Sequence, residues 1–170
     1  MDLSKRLTAV ASLVTAGYTV ADIGTDHAYI PIYLVENGRI PRAVAMDVNR
    51  GPLERASENI RAHGLTDQIQ TRLSDGFSAL ECGEADCAVI AGMGGGLTIR
   101  ILKEGADVVQ GLKECILQPQ SEIEKVRAFL SEKGFLLIRE DMAEEDGKYY
   151  PMMKVRPPAV SKETVCAREA

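Results

Sequence analysis

The chain has 170 residues, enough for one domain with a full core, and its 45% apolar and 26% charged content is ordinary for a globular protein. Its net charge of −5 excludes a domain that binds nucleic acid by overall charge alone. No apolar run reaches the length of a membrane span and no signal peptide is visible, so we expect a cytoplasmic protein with no membrane contact.

The first half of the chain alternates between helical and strand patterns. Apolar residues at helical spacing predict a first helix over 3–14. Buried strands are predicted over 18–23, 43–46 and 69–73, with helices over 30–36 and 52–63 between them. Pro52 at the start of the last helix and Gly64 at its end are typical helix boundaries. This alternation indicates βαβ units in a parallel sheet.

The second half continues the alternation and then changes. Strands are predicted over 85–91 and 114–117, with a helix over 97–103 between them. Ser121 and Glu124 have capping-box spacing and predict a helix over 121–132. Strands over 134–139 and 149–155, joined by an acidic loop over 141–147, then predict an antiparallel hairpin, because no helix separates them.

These elements together predict an α/β fold with a doubly wound, mostly parallel seven-stranded sheet and an antiparallel terminal hairpin. The predicted domain spans residues 1–156. The remaining polar tail, 157–170, is expected to be poorly ordered. The sequence contains no internal repeat that would indicate a second domain.

Three consecutive predicted strands end at aspartates. The first strand enters a loop with Asp22, Gly24 and Asp26, and the next two strands are followed by Asp47 and Asp75. Ligands of doubly wound sheets bind at these strand ends. The loop lacks the three spaced glycines that cradle a pyrophosphate, which makes a nicotinamide dehydrogenase a poor interpretation. A cofactor with adenosine but no phosphates fits better, and S-adenosylmethionine is the candidate.

Each of these residue types suits one part of that cofactor. Gly24 allows a close backbone approach. Asp47 can accept hydrogen bonds from two ribose hydroxyls, and Asp75 can accept one from the adenine amino group. Asp22 and Asp26 favour a positive sulfonium or ammonium group. The alternative for any single aspartate is a helix cap or a turn residue, but the ordered set favours a binding function.

A glycine-rich turn, 92–96, follows the fourth predicted strand. It is not a phosphate-binding P-loop, because no Gly-Lys-Ser/Thr sequence follows. The missing side chains leave room for a planar base or a methyl group, although a simple turn from strand to helix is the alternative. No metal site is expected, because the two histidines, His27 and His63, lie far apart and no C-x-x-C pair occurs.

Several segments resemble the bacterial tRNA (adenine(22)-N(1))-methyltransferase family. They are DIGTDHAYIP at 22–31, GP at 51–52, IAGMGG at 90–95, LQP at 117–119 and EDGK at 145–148. The resemblance implies a class I methyltransferase (Rossmann-like) domain over roughly residues 2 to 155, with S-adenosylmethionine as donor and N1 of adenine 22 in tRNA as acceptor. Gln120 departs from the asparagine that the family often has there. The family's C-terminal helical extension is absent from this sequence, so we expect weak tRNA binding.

The predicted site has three groups of residues. Asp26 and His27 are the predicted catalytic pair, since Asp26 lies beyond the residues that the fold needs and can take a proton from the methylated base. The predicted cofactor-binding residues are Asp22, Gly24, Thr25, Asp47, Asp75, Gly76, Gly92 and Met93. The predicted acceptor contacts are Gly94, Gln118, Pro119 and Tyr149. A small-molecule methyltransferase and a non-catalytic S-adenosylmethionine-binding module are the alternative functions, and the sequence leaves the oligomeric state undetermined.

Overall fold

Helices and strands alternate through residues 2–158, the part of the chain that the computed structural model describes. The strands are β1 (Val20–Ile23), β2 (Ala43–Asp47), β3 (Ile69–Leu73), β4 (Cys87–Met93), β5 (Glu114–Pro119), β6 (Leu136–Glu145) and β7 (Lys148–Arg156). The helices are α1 (Lys5–Ser12), α2 (Tyr29–Glu36), α3 (Arg50–Ala62), α4 (Gly95–Glu104), α5 (Ala106–Val109) and α6 (Ile123–Glu132). Of the tail predicted to be poorly ordered, residues 159–170 lie outside the described residues.

All seven strands form one sheet in the order β3-β2-β1-β4-β5-β7-β6. Strands β1 to β5 pair in parallel, and β7 lies antiparallel between β5 and β6. This confirms the predicted doubly wound sheet with its antiparallel terminal hairpin. The strand order reverses between β1 and β4, so the carboxyl ends of these two strands flank the crevice in which such sheets bind ligands.

Both faces of the sheet are covered by apolar layers. Successive residues of a strand enter opposite layers, as Ala45 and Met46 of β2 do. Ala45 packs in the layer that contains α1 and α2 residues, whereas Met46 packs in the layer that contains Ile101 and Val126. Burial on both faces explains why the central strands are continuous apolar runs. Within residues 2–158, none of the helices has the length and apolar character needed to cross a membrane.

The terminal hairpin is longer than predicted. Most of the predicted acidic loop belongs to β6, and the connection is a two-residue turn at Asp146 and Gly147, whose φ angles are 53° and 79°. Positive φ at both central residues is the requirement of a tight hairpin turn, and Asp-Gly satisfies it. Because β6 is the edge strand, its acidic side chains can face solvent, and they hide the strand pattern in the sequence.

The capping box predicted at Ser121 is wrong. Helix α6 begins at Ile123, and the residue before it, Glu122, has a left-handed φ of 50°. The Ser121 hydroxyl accepts a hydrogen bond from the backbone N–H of Gly95 at 3.2 Å instead of capping α6. Ser121 therefore connects the start of α4 to the loop after β5. The short helix α5 has no counterpart among the predicted elements.

Candidate active site at the strand ends

The carboxyl ends of β1, β2 and β3 bring the three predicted aspartates to one edge of the sheet. In the parallel register Asp22 lies beside Ala45, and Asp47 lies beside Leu73. Asp22 is buried, Asp47 is half-buried and Asp75 is exposed. The structure therefore places the carboxylates on neighbouring strands, in order of increasing access to water.

The carboxyl of Asp22 sits in an unusual environment. Its side chain is buried, and this burial raises its pKa to about 6. Repulsion from Asp47 adds to the increase, whereas the neighbouring Thr25 hydroxyl opposes it. Thr25 is itself fully buried, and among residues 2–158 its hydroxyl has no partner in good hydrogen-bond geometry. An unpaired buried hydroxyl is costly, so a polar ligand group beside it would be stabilising.

The carboxylates of Asp47 and Asp75 have capacity left for a ligand. One oxygen of Asp47 accepts the backbone N–H of Asn49 at 2.9 Å, and its other oxygen makes no hydrogen bond within the described chain. The backbone N–H of Asp75 donates to the Ser78 hydroxyl at 3.1 Å, which shapes the turn without using the carboxylate. Gly76 completes this turn with a φ of 57°.

Gly24 is required by its backbone angle. Its φ of 74° is one that side chains strongly disfavour. A Cβ added there would also displace the flexible methyl end of Met93, the last residue of β4. The loop after β1 and the turn at the end of β4 are thus in contact, and Met93 lies where the two meet.

The loop after Gly24 is strained at His27, one of the predicted catalytic pair, and at Ala28. His27 and Ala28 both have positive φ, 58° and 57°, which is uncommon for residues with side chains and is often found at functional sites. The side-chain amide of Asn59 donates to the carbonyl of His27 at 2.9 Å. The His27 ring stacks on Tyr29, with centroids 4.9 Å apart. Contacts from α2 and α3 therefore hold the loop in place.

Asp26 extends from this loop toward solvent, with its side chain 70% exposed. The Nε2 atom of His27 lies 3.3 Å from Asp26 Oδ1, and Nη2 of Arg55 lies 3.9 Å from the same oxygen. The carboxylate is thus flanked on one side and remains open to an incoming group. An exposed carboxylate with these neighbours can accept a proton from a bound molecule.

The ends of β4 and β5 form the other half of the crevice. Gln118 is fully buried, and its Oε1 accepts hydrogen bonds from Arg6 Nη1 at 2.7 Å and from the backbone N–H of Gly92 at 3.1 Å. Pro119 is buried as well. Both side chains are enclosed by the described chain, and their contact with the acceptor stays a prediction. Gly94 is half-buried at the start of α4.

The two tyrosines near the start of β7 have different surroundings. Tyr149 is 69% exposed, whereas the ring of Tyr150 lies 5.8 Å from the guanidinium carbon of Arg6. Neighbouring residues of a strand point to opposite faces, so Tyr149 lies on the face away from this contact. Tyr150 is therefore the tyrosine in contact with Arg6, and the acceptor contact of Tyr149 stays a prediction.

Several residues of this region are not among the predicted site residues. Arg55 and Asn59 are four residues apart on α3, and this spacing places both on one face of the helix. The contacts of Arg6 and Tyr150 had no local signal in the sequence, because they join segments far apart in the chain. Among residues 2–158, no group of three or more His, Cys, Asp or Glu side chains is arranged to hold a metal ion.

Comparisons with known proteins found relatives over most of the chain. Residues 3–153 match the methyltransferase domain family. The chain is 40% identical over 153 residues to the tRNA (adenine(22)-N(1))-methyltransferase of Bacillus subtilis, an alignment that covers 90% of this chain. The chain spans 64% of the length of that relative.

Two solved structures share the fold and a substantial part of the sequence. The B. subtilis m1A22 tRNA methyltransferase TrmK superposes with a TM-score of 0.87 at 36% identity, over 96% of this chain and 74% of that one. M. capricolum TrmK, solved with S-adenosyl-homocysteine, superposes with a TM-score of 0.83 at 33% identity, over 95% of this chain and 74% of that one. The chain therefore belongs to the methyltransferase domain family and, within it, to the TrmK family.

Proposed function

We propose that this chain transfers the methyl group of S-adenosylmethionine to N1 of adenine 22 in tRNA. The observation that carries the proposal is the ordered set of carboxylates at three neighbouring strand ends, beside a turn of β4 that is lined by glycines. The family supplies the acceptor, because its named members act on this adenine of tRNA. A protein that modifies tRNA would work in the cytoplasm.

The residues at the edge of the sheet fit the proposed cofactor. Asp47 has an oxygen available for a ribose hydroxyl, and the Asp75 carboxylate is available for the adenine amino group. The unpaired Thr25 hydroxyl and the Asp22 carboxyl suit the polar, positively charged methionine end. Gly24 and Met93 are in contact where the loop after β1 meets the end of β4. When bound, S-adenosylmethionine supplies an electrophilic methyl group on a positively charged sulfur.

The protein's main contribution is to position the reactants. N1 of adenine lies on the Watson–Crick edge, so the target base must be unpaired or turned out of its helix to reach the crevice. Gly92 and Gly94 carry no side chains, so a planar base can approach the backbone of this turn closely. Methylation at N1 makes the ring positive until N6 loses a proton. Asp26 stabilises that charge and accepts the proton, and His27 orients the Asp26 carboxylate.

The direct test is transfer of a labelled methyl group from S-adenosylmethionine to unmodified tRNA that has adenine at position 22, followed by mapping of the modified nucleotide. We expect label at N1 of adenine 22 and none in the same tRNA with guanine at that position. Labelling of small molecules but not of tRNA would support the small-molecule methyltransferase. Cofactor binding without turnover on any RNA would support the non-catalytic binding module.

A further inference from the structure

The half of the crevice at the ends of β4 and β5 is here called the acceptor half. We propose that Arg6 is a positioning residue for this acceptor half, acting through Gln118 on the turn at Gly92. The inference rests on the proposed methyl transfer. It assigns a role to the first helix, α1, which contributes no residue to the strand ends. The three residues come from α1, β5 and β4, so the contact joins parts of the chain that are 112 and 26 residues apart.

The orientation of the Gln118 amide is determined by its neighbours. Both Arg6 Nη1 and the backbone N–H of Gly92 are donors, so the atom that they share must be the amide oxygen. Gly92 lies at the irregularity in the β4–β5 register, between Ala91 and Met93. The Gln118 side chain therefore accepts a backbone N–H at the point where the strand ladder is interrupted.

Arg6 is suited to hold this amide oxygen. Its guanidinium is partly buried, donates at 2.7 Å and also lies over the ring of Tyr150. Within residues 2–158 it makes no ion pair with a carboxylate, in contrast to Arg72, which pairs with Glu84 at 2.7 Å. A charged donor to a neutral acceptor strengthens the hydrogen bond, and the aromatic contact limits the movement of the guanidinium.

The position of Gly92 matters because the next residue, Met93, contacts the loop after β1, here called the cofactor loop. Met93 follows Gly92 directly, and its methyl end lies against Gly24. The Met93 carbonyl accepts the backbone N–H of Gln120 at 2.7 Å. Loss of the Arg6–Gln118 contact would therefore shift the turn that lies between the cofactor loop and the acceptor. Displacements of about 1 Å near the reacting atoms can lower rates by about 100-fold.

Arg39 provides a matched control. Like Arg6 it is an arginine that fastens the first helical segment, since its guanidinium donates to the carbonyls of Ser12 and Val14 at the end of that segment. It makes no contact with the strand-end crevice. If Arg6 serves only to hold α1 against the sheet, Arg6→Ala and Arg39→Ala should affect catalysis to the same extent.

The first measurement separates turnover from cofactor affinity in the full chain. For Arg6→Ala we expect kcat for tRNA methylation to fall about 10- to 100-fold, with the Kd of S-adenosyl-homocysteine changed by less than about threefold. Arg6→Lys should recover part of the loss, because an ammonium can still donate to Gln118. Gln118→Leu should reproduce the loss, and the Arg6→Ala/Gln118→Leu double variant should be no slower than the slower single variant.

The second measurement needs no acceptor and so does not depend on the proposed function. Hydrogen exchange at the Gly92 amide should accelerate about tenfold or more in Arg6→Ala and in Gln118→Leu, but not in Arg39→Ala. Unchanged Gly92 exchange in Arg6→Ala would overturn the inference. So would an equal loss of kcat in the Arg6 and Arg39 variants. A wild-type protein that labels no tRNA but shows the expected exchange pattern would refute the proposed function and support the contact.

Discussion

The two halves of the crevice are built in different ways. The cofactor half, at the ends of β1 to β3, carries three carboxylates, and each projects from the strand end or turn that positions it. The acceptor half, at the ends of β4 and β5, has glycines and a buried amide, and its shape depends on side chains that reach in from α1 and from the loop after β5. The charges of the cofactor half thus come from residues at its own strand ends. The shape of the acceptor half depends on contacts with residues far away in the sequence.

This difference predicts that substitutions in the two halves should have separable effects. Changes in the cofactor half should alter ligand affinity and its dependence on pH. Changes in the acceptor half should alter turnover or the stability of the fold. Asp26 lies at the boundary, since it belongs to the loop after β1 but extends toward solvent.

The largest expected effect is that of Asp26→Ala. Loss of the proton acceptor should lower the rate of methyl transfer by about 10²–10⁴-fold, while the affinity for S-adenosyl-homocysteine stays within about threefold of wild type. Single-turnover kinetics and calorimetry would measure the two quantities. Arg55→Ala is the control, because Arg55 approaches the same oxygen only at 3.9 Å and should matter much less. A parallel decline of affinity and rate would make Asp26 a cofactor ligand.

The second prediction concerns the dependence of stability on pH. The pKa of Asp22 is about 6 in the folded protein against 3.8 for an ordinary aspartate, so the folded state binds the proton more tightly than the unfolded state. Stability contributed by the protonated carboxyl is therefore present below pH 3.8 and is lost as the pH rises to about 6. The loss should amount to about 3 kcal/mol, since each pKa unit corresponds to about 1.4 kcal/mol.

Asp22→Asn isolates this contribution, because the amide does not titrate. Denaturant unfolding of both proteins without cofactor, from pH 4 to pH 7, should show the variant gaining stability relative to wild type as the pH rises. A difference that stays constant across this range would mean that the Asp22 carboxyl is not buried in the way described. In wild type, cofactor affinity should increase over the same range, because the ionised carboxylate attracts the ammonium group.

The third prediction tests the ribose assignment. Asp47→Ala should weaken S-adenosyl-homocysteine binding by about 1.5–3 kcal/mol, because hydrogen bonds to a charged acceptor are lost. Calorimetry at constant ionic strength would measure the change. Asp67→Ala is a matched control, since Asp67 is an exposed acid that precedes β3 at the opposite end of the sheet. Equal affinities in the two variants would show that Asp47 does not bind the ribose.

The smallest expected effect is on stability in the acceptor half. A Cβ at Gly95 would lie 3.0 Å from the backbone carbonyl oxygen of Glu122 and even closer to that of Ser121. Gly95→Ala should therefore lower the free energy of unfolding by about 1–3 kcal/mol. Gly96→Ala is the control, because there the nearest atom is a flexible carboxylate oxygen at 3.4 Å, and alanine favours the helix. A destabilisation shared by both variants would point to the helix rather than to the contact with Ser121.

The sequence predicted the cofactor half better than the acceptor half, for a physical reason. Asp22, Asp47 and Asp75 lie at strand ends, and strands are marked in the sequence by continuous apolar runs. The partners of Gly92 and Gly95 are Gln118 and Ser121, and no local pattern indicates which distant residue a backbone N–H will bind. Ser121 illustrates the difficulty, because its spacing to Glu124 suggested a local cap while its hydroxyl bonds to another element.

The hairpin turn at Asp146 and Gly147 has a consequence for the insertion or deletion of residues. This two-residue turn sets the register of β7 against β6, in which Tyr150 lies opposite Ala143. Because β7 also pairs with β5, a one-residue insertion in the turn would shift the edge strand β6 and leave β7 in place. Ala143, which is buried, would then move to the other face of β6, while Tyr150 would stay beside Arg6. The length of this solvent-exposed turn therefore determines which side chains of the edge strand are buried.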